Sequence, residues 1–125
     1  MPAPNAVWAN AAMGRSREID DCDEITGDHP SVVAVTVALV MAELLGGVTG
    51  KDIITAITLG DDLVLRIRDS CKRLSGVSPW GTGSYGVFTA ATVAGKLLGF
   101  NEEKMLDDIG IAFTQMSNTH QWIID

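Results

Sequence analysis

The chain has 125 residues, 46% of them hydrophobic and 20% charged, with a formal net charge of −7. This balance fits one globular domain that buries roughly two thirds of its unfolded surface, and it excludes disordered and fibrous classes. No run of Lys or Arg exceeds two residues, so a nucleic-acid partner, which needs a basic footprint, is not expected.

The opening segment, MPAPNAVWANAAMGRSR, lacks the basic stretch followed by an apolar run that marks a secretory signal. Its residues 6–15 predict a first helix. Next comes an acidic stretch in which Glu18, Asp20, Asp21, Asp23, Glu24 and Asp28 precede a His29-Pro30 pair. On composition alone this is a solvated acidic loop.

Residues 32–45 then contain 12 apolar side chains in 14 positions. That is short of the roughly 20 needed to span a bilayer, so a membrane is not expected. Their β-branched content favours a strand, but their length favours a helix buried in the core. Pro30 can occupy its first turn, and Gly46-Gly47 can end it.

The following segment opens on Thr49-Gly50-Lys51-Asp52, a capping box with Asp in place of the usual Glu. Ile53, Ile57, Gly60, Val64, Ile67, Cys71 and Leu74 form an apolar stripe of alternating fours and threes. Asp62 with Arg66 and Asp69 with Arg73 pair at four-residue spacing on the opposite face. A Gly/Ser/Pro-rich joint, SGVSPWGTGSYG, leads into VFTAATVAGKLLG. There Gly86, Ala90, Ala91, Ala94 and Gly95 allow close approach of another helix. Gly99 ends that element, and Asn101 with Glu102 and Glu103 starts the last one. Its stripe is Met105, Ile109, Ala112 and Met116, with Leu106 and Phe113 alongside. The chain therefore reads as all-α, with about five helices and no strand.

Three pieces of chemistry are suggested and tested by their requirements. The joint contains GTGSYG, a letter match to G-x-G-x-x-G, but a dinucleotide site needs a preceding strand, and a helix precedes it here. Its backbone N–H groups at Gly83 and Ser84 can still face a substrate carboxylate at a helix start; a plain turn is the competing reading. The acidic stretch does not fit a calcium loop, because Ile25 and Thr26 occupy the fifth and sixth positions from Asp21. Cys22 and His29 also lack the partner pair of a zinc site, so no metal is expected.

Cys22 is a poor nucleophile, since the surrounding carboxylates oppose formation of a thiolate. Cys22 and Cys71 have no paired-motif spacing and are expected as reduced thiols in a cytoplasmic setting. His29 precedes a proline, which pushes it out of the helical region and places it at the helix boundary. A ring held between a helix start and a run of carboxylates suits a general acid or base. An ordinary surface histidine is the alternative.

The segments GRSREIDDCDEITGDHPSVVAV, GTGSYGVFTAATVAGKLLGFNEE and IGIAFTQMSN, in this order, resemble the helical domain of the MmgE/PrpD family. That family includes 2-methylcitrate dehydratase, cis-aconitate decarboxylase and an iminodisuccinate epimerase. The resemblance implies that residues 1–125 are part of the all-helical domain, without the family's α/β lid. It implies cofactor-independent lyase or isomerase chemistry on small di- and tricarboxylates, by proton removal beside a carboxylate. It also implies a homo-oligomer such as a dimer, or association with the remainder of the fold.

Carried over by position, His29 matches the family's active-site histidine, and Asp20 and Asp21 match its double aspartate. Glu18 and Cys22 stand where the family usually has aspartate and threonine. The resemblance thus implies a catalytic set of His29, Glu18, Asp21 and Cys22, with Asp20 binding substrate. Gly83 and Ser84 join the substrate-binding set through their N–H groups, and His120 through its place near the segment beyond QWIID, an exposed chain-end histidine being its alternative. Family enzymes are longer, and they place an active-site lysine just past the position of QWIID. The basic half of a polycarboxylate site is accordingly expected outside these residues. A second reading is a truncated helical remnant or interaction module that exposes its apolar faces.

Overall fold

The structure is a computed structural model and describes residues 1–75 and 82–116. It contains five helices in chain order: α1 (Ala3–Arg15), α2 (Ser31–Leu45), α3 (Gly50–Ser75), α4 (Thr82–Leu97) and α5 (Glu102–Thr114). Among the described residues there is no strand, so the setting that GTGSYG would need for a dinucleotide is missing there. No described helix is long and apolar enough to cross a membrane.

Local chemistry accounts for the helix ends. Thr49 and Asp52 form the reciprocal box: the Asp52 carboxylate accepts from the Thr49 N–H at 3.1 Å, and the Asp52 N–H donates to Thr49 Oγ1 at 3.2 Å. The bond from the Thr49 hydroxyl and the one from its amide hold the Asp52 carboxyl below the ordinary carboxylate range. Asn101 caps α5 by accepting from the Lys104 N–H at 3.0 Å. Gly46 ends α2 at φ +64°, a conformation that costs other residues a Cβ clash.

α4 packs against α2, α3 and α5, while α1 reaches the rest through α2. Two apolar clusters result. Ala34, Val37, Ala38, Ala56 and Val93 join α2, α3 and α4, and Val64, Tyr85, Phe88 and Ala112 join α3, α4 and α5. Of the small α4 residues expected to permit close approach, Gly95 does so, where a Cβ would lie 3.0 Å from the Met105 methyl of α5; the tighter contact is at Gly60 on α3, read in the sequence only as part of the apolar stripe. A Cβ there would lie 2.7 Å from Val93 Cγ2 and 3.2 Å from Thr89 Cγ2, both on α4. Gly60→Ala should therefore destabilise by about 1–3 kcal/mol through overpacking, although Ala favours an isolated helix by about 1 kcal/mol. Thermal unfolding checks this; an unchanged or higher midpoint would mean that the two helices can move apart freely.

α2 differs from the expected fully buried helix. Ala34, Val37, Ala38 and Val40 are buried, but Val35, Leu39 and Leu44 are exposed. The physical reason is geometric: α1, α3 and α4 cover part of its circumference and leave a strip open. Leu106 and Phe113 on α5 are likewise exposed, in contrast to Ala112 beside them.

Candidate active site

The acidic segment between α1 and α2 is folded rather than merely solvated. Asp23 closes its turn, accepting at 2.7 Å from both the N–H and the hydroxyl of Thr26. Those two bonds hold the Asp23 carboxyl below its ordinary range. The Gly27 N–H donates to the Asp23 carbonyl at 2.8 Å with Gly27 at φ +72°. Asp28 is 1% exposed and pairs with Arg68 of α3, Nε to Oδ2, at 2.8 Å.

Arg68 also donates to the Thr26 carbonyl at 3.3 Å and lies 5.2 Å from the Tyr85 ring centre. Lys72 donates to the Ile25 carbonyl at 2.6 Å. These contacts tie the segment down onto α3.

The end of α1, the segment and the start of α2 meet at His29. Arg15, in the last turn of α1, lies with Nη1 3.1 Å from Asp20 Oδ1 and 3.2 Å from His29 Nδ1. Its Nη2 is 3.2 Å from Glu18 Oε1. Glu18 has φ +55°, and this left-handed turn, uncommon outside glycine, folds the chain so that Asp20 comes back under Arg15.

Asp20 Oδ2 is 3.4 Å from His29 Nδ1 yet is buried without a hydrogen-bond partner among the described residues. The side chains of His29 and Asp20 are 15% and 10% exposed. The ring of His29 is thus held at Nδ1, while Nε2 has no hydrogen-bond partner among the described residues.

Asp21 does not join this group. It accepts at the N-terminus of α2 from the Ser31 N–H at 3.4 Å and from Ser31 Oγ at 2.8 Å, where a negative charge suits the helix dipole. Ser31 Oγ also lies 2.9 Å from Asp61 Oδ2 of α3. One hydroxyl proton cannot serve two carboxylates. Burial pushes the Asp61 carboxyl up, with the Asp21 charge adding to it and the Ser31 bond opposing. The two carboxylates therefore compete for one hydroxyl proton, and burial makes Asp61 the one that holds a proton of its own more readily than an ordinary Asp does.

Because the folded state binds that proton more tightly, its stabilising contribution is complete below the ordinary Asp value and is lost as pH rises through the raised one. Asp61→Asn supplies a permanent donor to Ser31. It should stabilise the chain at pH 7 by about 1 kcal/mol and flatten its stability over mildly acidic pH, as read by urea unfolding at several pH values.

Cys22 is exposed and lies 3.8 Å from the Asp23 carbonyl; it touches neither His29 nor Asp20. Ser84 is buried within the first turns of α4, and Gly83 beside it is exposed. His120 lies outside the described residues. Of the residues singled out from sequence, the structure therefore gathers Glu18, Asp20 and His29.

Arg15 is the added member. No motif marks it; its signal is the three-residue spacing to Glu18 at the end of a helix. It supplies a cation where the basic half of the site was expected to lie elsewhere.

An open cleft of about 280 Å³ reaches this group only at Asp20; its lining is Gly14, Asp20, Asp21, Ser31, Val32, Val35 and Thr36. A second cleft, of about 360 Å³, sits at the other end of α2, beside Gly46, Gly47, Asp52 and Lys96, and holds none of these residues. No group of three or more His, Cys, Asp or Glu among the described residues is arranged to hold a metal ion.

A family model described as the MmgE/PrpD N-terminal domain matches residues 1–123. No curated protein and no solved structure matches the chain.

Proposed function

This chain belongs to the MmgE/PrpD family, matching its N-terminal domain over residues 1–123, and from that premise we propose that His29 is the acid/base group of a site for small di- or tricarboxylates. The reaction is proton removal beside a carboxylate, completed by loss of water, loss of carbon dioxide or return of the proton, a lyase or isomerase step. The observation that carries the reading is the ring of His29. Arg15 and Asp20 flank its Nδ1, while Nε2, without a partner among the described residues, is the nitrogen we assign to proton exchange.

Within this reading each neighbour has a task. Asp20 and Arg15 orient the ring, Glu18 holds Arg15, and Asp21 with Ser31 secures the start of the helix that follows His29. Cys22, Gly83, Ser84 and His120 belong to the substrate's surroundings. Arg15 carries the planar fork that suits a carboxylate. Cys22, an exposed free thiol, fits a reducing cytoplasmic setting.

Incubating the purified chain with 2-methylcitrate and cis-aconitate, and following substrate loss, tests the proposal. Turnover that disappears in His29→Gln supports it. No turnover of either acid would overturn it for this chain and favour a second reading, a helical interaction module or self-associating chain. That second reading has its own support in exposed apolar side chains: Trp8 and Met13 on α1, Val35 and Leu39 on α2, and Ile111 and Phe113 on α5.

A further inference from the structure

We infer that Arg15 is a positioning residue that decides which ring nitrogen of His29 carries the proton, and that a substrate carboxylate drawing Arg15 away converts His29 from proton donor to proton acceptor at Nε2. The inference rests on the reading of His29 as the acid/base group and adds how its protonation is set.

The argument is one of donors and acceptors. A guanidinium has no acceptor, so an Arg15 N–H directed at His29 Nδ1, 3.2 Å away, requires that Nδ1 be unprotonated. The proton of the neutral ring then sits on Nε2, and His29 is a donor there. The buried Asp20 Oδ2 needs the reverse. It lies 3.4 Å from the same Nδ1 and has no hydrogen bond among the described residues, a vacancy that an Nδ1–H would fill. One nitrogen cannot meet both demands, because it either accepts from Arg15 or donates to Asp20.

Arg15 therefore holds the ring in the arrangement that leaves a buried carboxylate oxygen unsatisfied, and its departure releases the ring to the other. The change moves no net charge: one proton leaves Nε2 to water and one reaches Nδ1 from water. Nε2 is then a lone pair, and His29 can abstract a proton.

What could draw Arg15 off is also set by the surroundings. Of its two carboxylate partners, Glu18 has a side chain 71% exposed, and ion pairs so open to water are weak; the other, Asp20, is 10% exposed and gains the ring's Nδ1–H when Arg15 leaves. A di- or tricarboxylate offers the guanidinium a bidentate partner in their place. Substrate binding and activation of the base then become one event, and water meets His29 as a donor until the substrate arrives.

Nitrogen-15 NMR of the imidazoles at about two pH units above the ordinary histidine value near 6.5 reads the tautomer directly. The chain has two histidines, and a His29→Asn spectrum identifies the signals of His29. The expected result is a predominantly Nε2–H ring in the unaltered chain and a predominantly Nδ1–H ring in Arg15→Met. Addition of tricarballylate, a non-reacting tricarboxylate, should shift the unaltered chain in the same direction, and that titration does not depend on any variant folding.

A ring that begins as Nδ1–H, or that ignores Arg15→Met, overturns the proposal. A ring that responds to Arg15→Met but not to tricarballylate overturns the hand-over to substrate. Failure of the acid/base reading looks different, since turnover would be absent while the ring still responded to Arg15.

Discussion

Asp28→Asn should destabilise the chain by about 3–5 kcal/mol, the cost of breaking a buried ion pair by removing one partner. In a domain of this size that corresponds to a fall of about 10–20 °C in the unfolding midpoint. The carboxylate of Asp28 is buried, and so is Arg68, 2.8 Å away on α3. The variant leaves the guanidinium charged in a site where water cannot replace the lost partner.

Asp28 also precedes His29, so the damage should extend to the site: the turn that Asp23, Thr26 and Gly27 close would lose its buried ionic anchor on α3 and keep only the bonds from Arg68 and Lys72 to its carbonyls. A second substitution, Arg68→Met, should recover part of the lost stability, because an apolar pair of similar volume replaces a buried ion pair at little cost. Urea and thermal unfolding of the single and double variants measure both effects. A change below about 1 kcal/mol in Asp28→Asn, the range of an exposed pair, would show that the segment is held by its backbone contacts alone.

His29→Gln should have the opposite profile. It removes the group proposed to exchange the proton, and positioned acid/base groups contribute about 10²–10⁴-fold to turnover. Its structural cost should stay near 1 kcal/mol, since one hydrogen bond at Nδ1 is lost and Gln can still meet Arg15 or Asp20. Substrate loss and thermal unfolding, measured on the same preparation, separate the two variants: Asp28→Asn loses activity with stability, and His29→Gln loses activity while remaining folded. Retention of more than about a tenth of the turnover in His29→Gln, a smaller loss than such groups cause, would remove His29 from its proposed role.

Most of the helical architecture was legible because it depends on local patterns. The Thr49–Asp52 box, the Asn101 cap and the Gly46 stop are contacts between residues at most four apart. The ion pairs Asp62–Arg66 and Asp69–Arg73 likewise form at the four-residue spacing read from the chain. The most buried line of α3 was harder to read. It runs Ala56, Gly60, Val64, Arg68, and its last member is a charged residue that hydropathy assigns to the surface. Arg68 is inside because Asp28, forty positions earlier in the chain, is there to meet it.

The acidic segment shows the same division. Its charge looked like a single property, and the fold spends it separately: Asp20 beside His29, Asp21 at the start of α2, Asp23 within its own turn and Asp28 against α3. Arg15 was not visible as part of the site, since its contacts to Asp20 and His29 depend on the left-handed turn at Glu18.

By itself, then, the sequence determined the five helices, the capped ends of α2, α3 and α5, the family resemblance and the position of His29 ahead of Pro30, because caps, periodicity and the proline constraint act over a few residues. It missed that α1 starts at Ala3 and that α4 starts at Thr82, inside the stretch read as a glycine-rich joint. Only the tertiary structure decided which carboxylates face the imidazole, which cation joins them and which charged pair is buried. Those outcomes depend on distances between helices, and a charged side chain looks the same in a sequence whether water or another charge receives it.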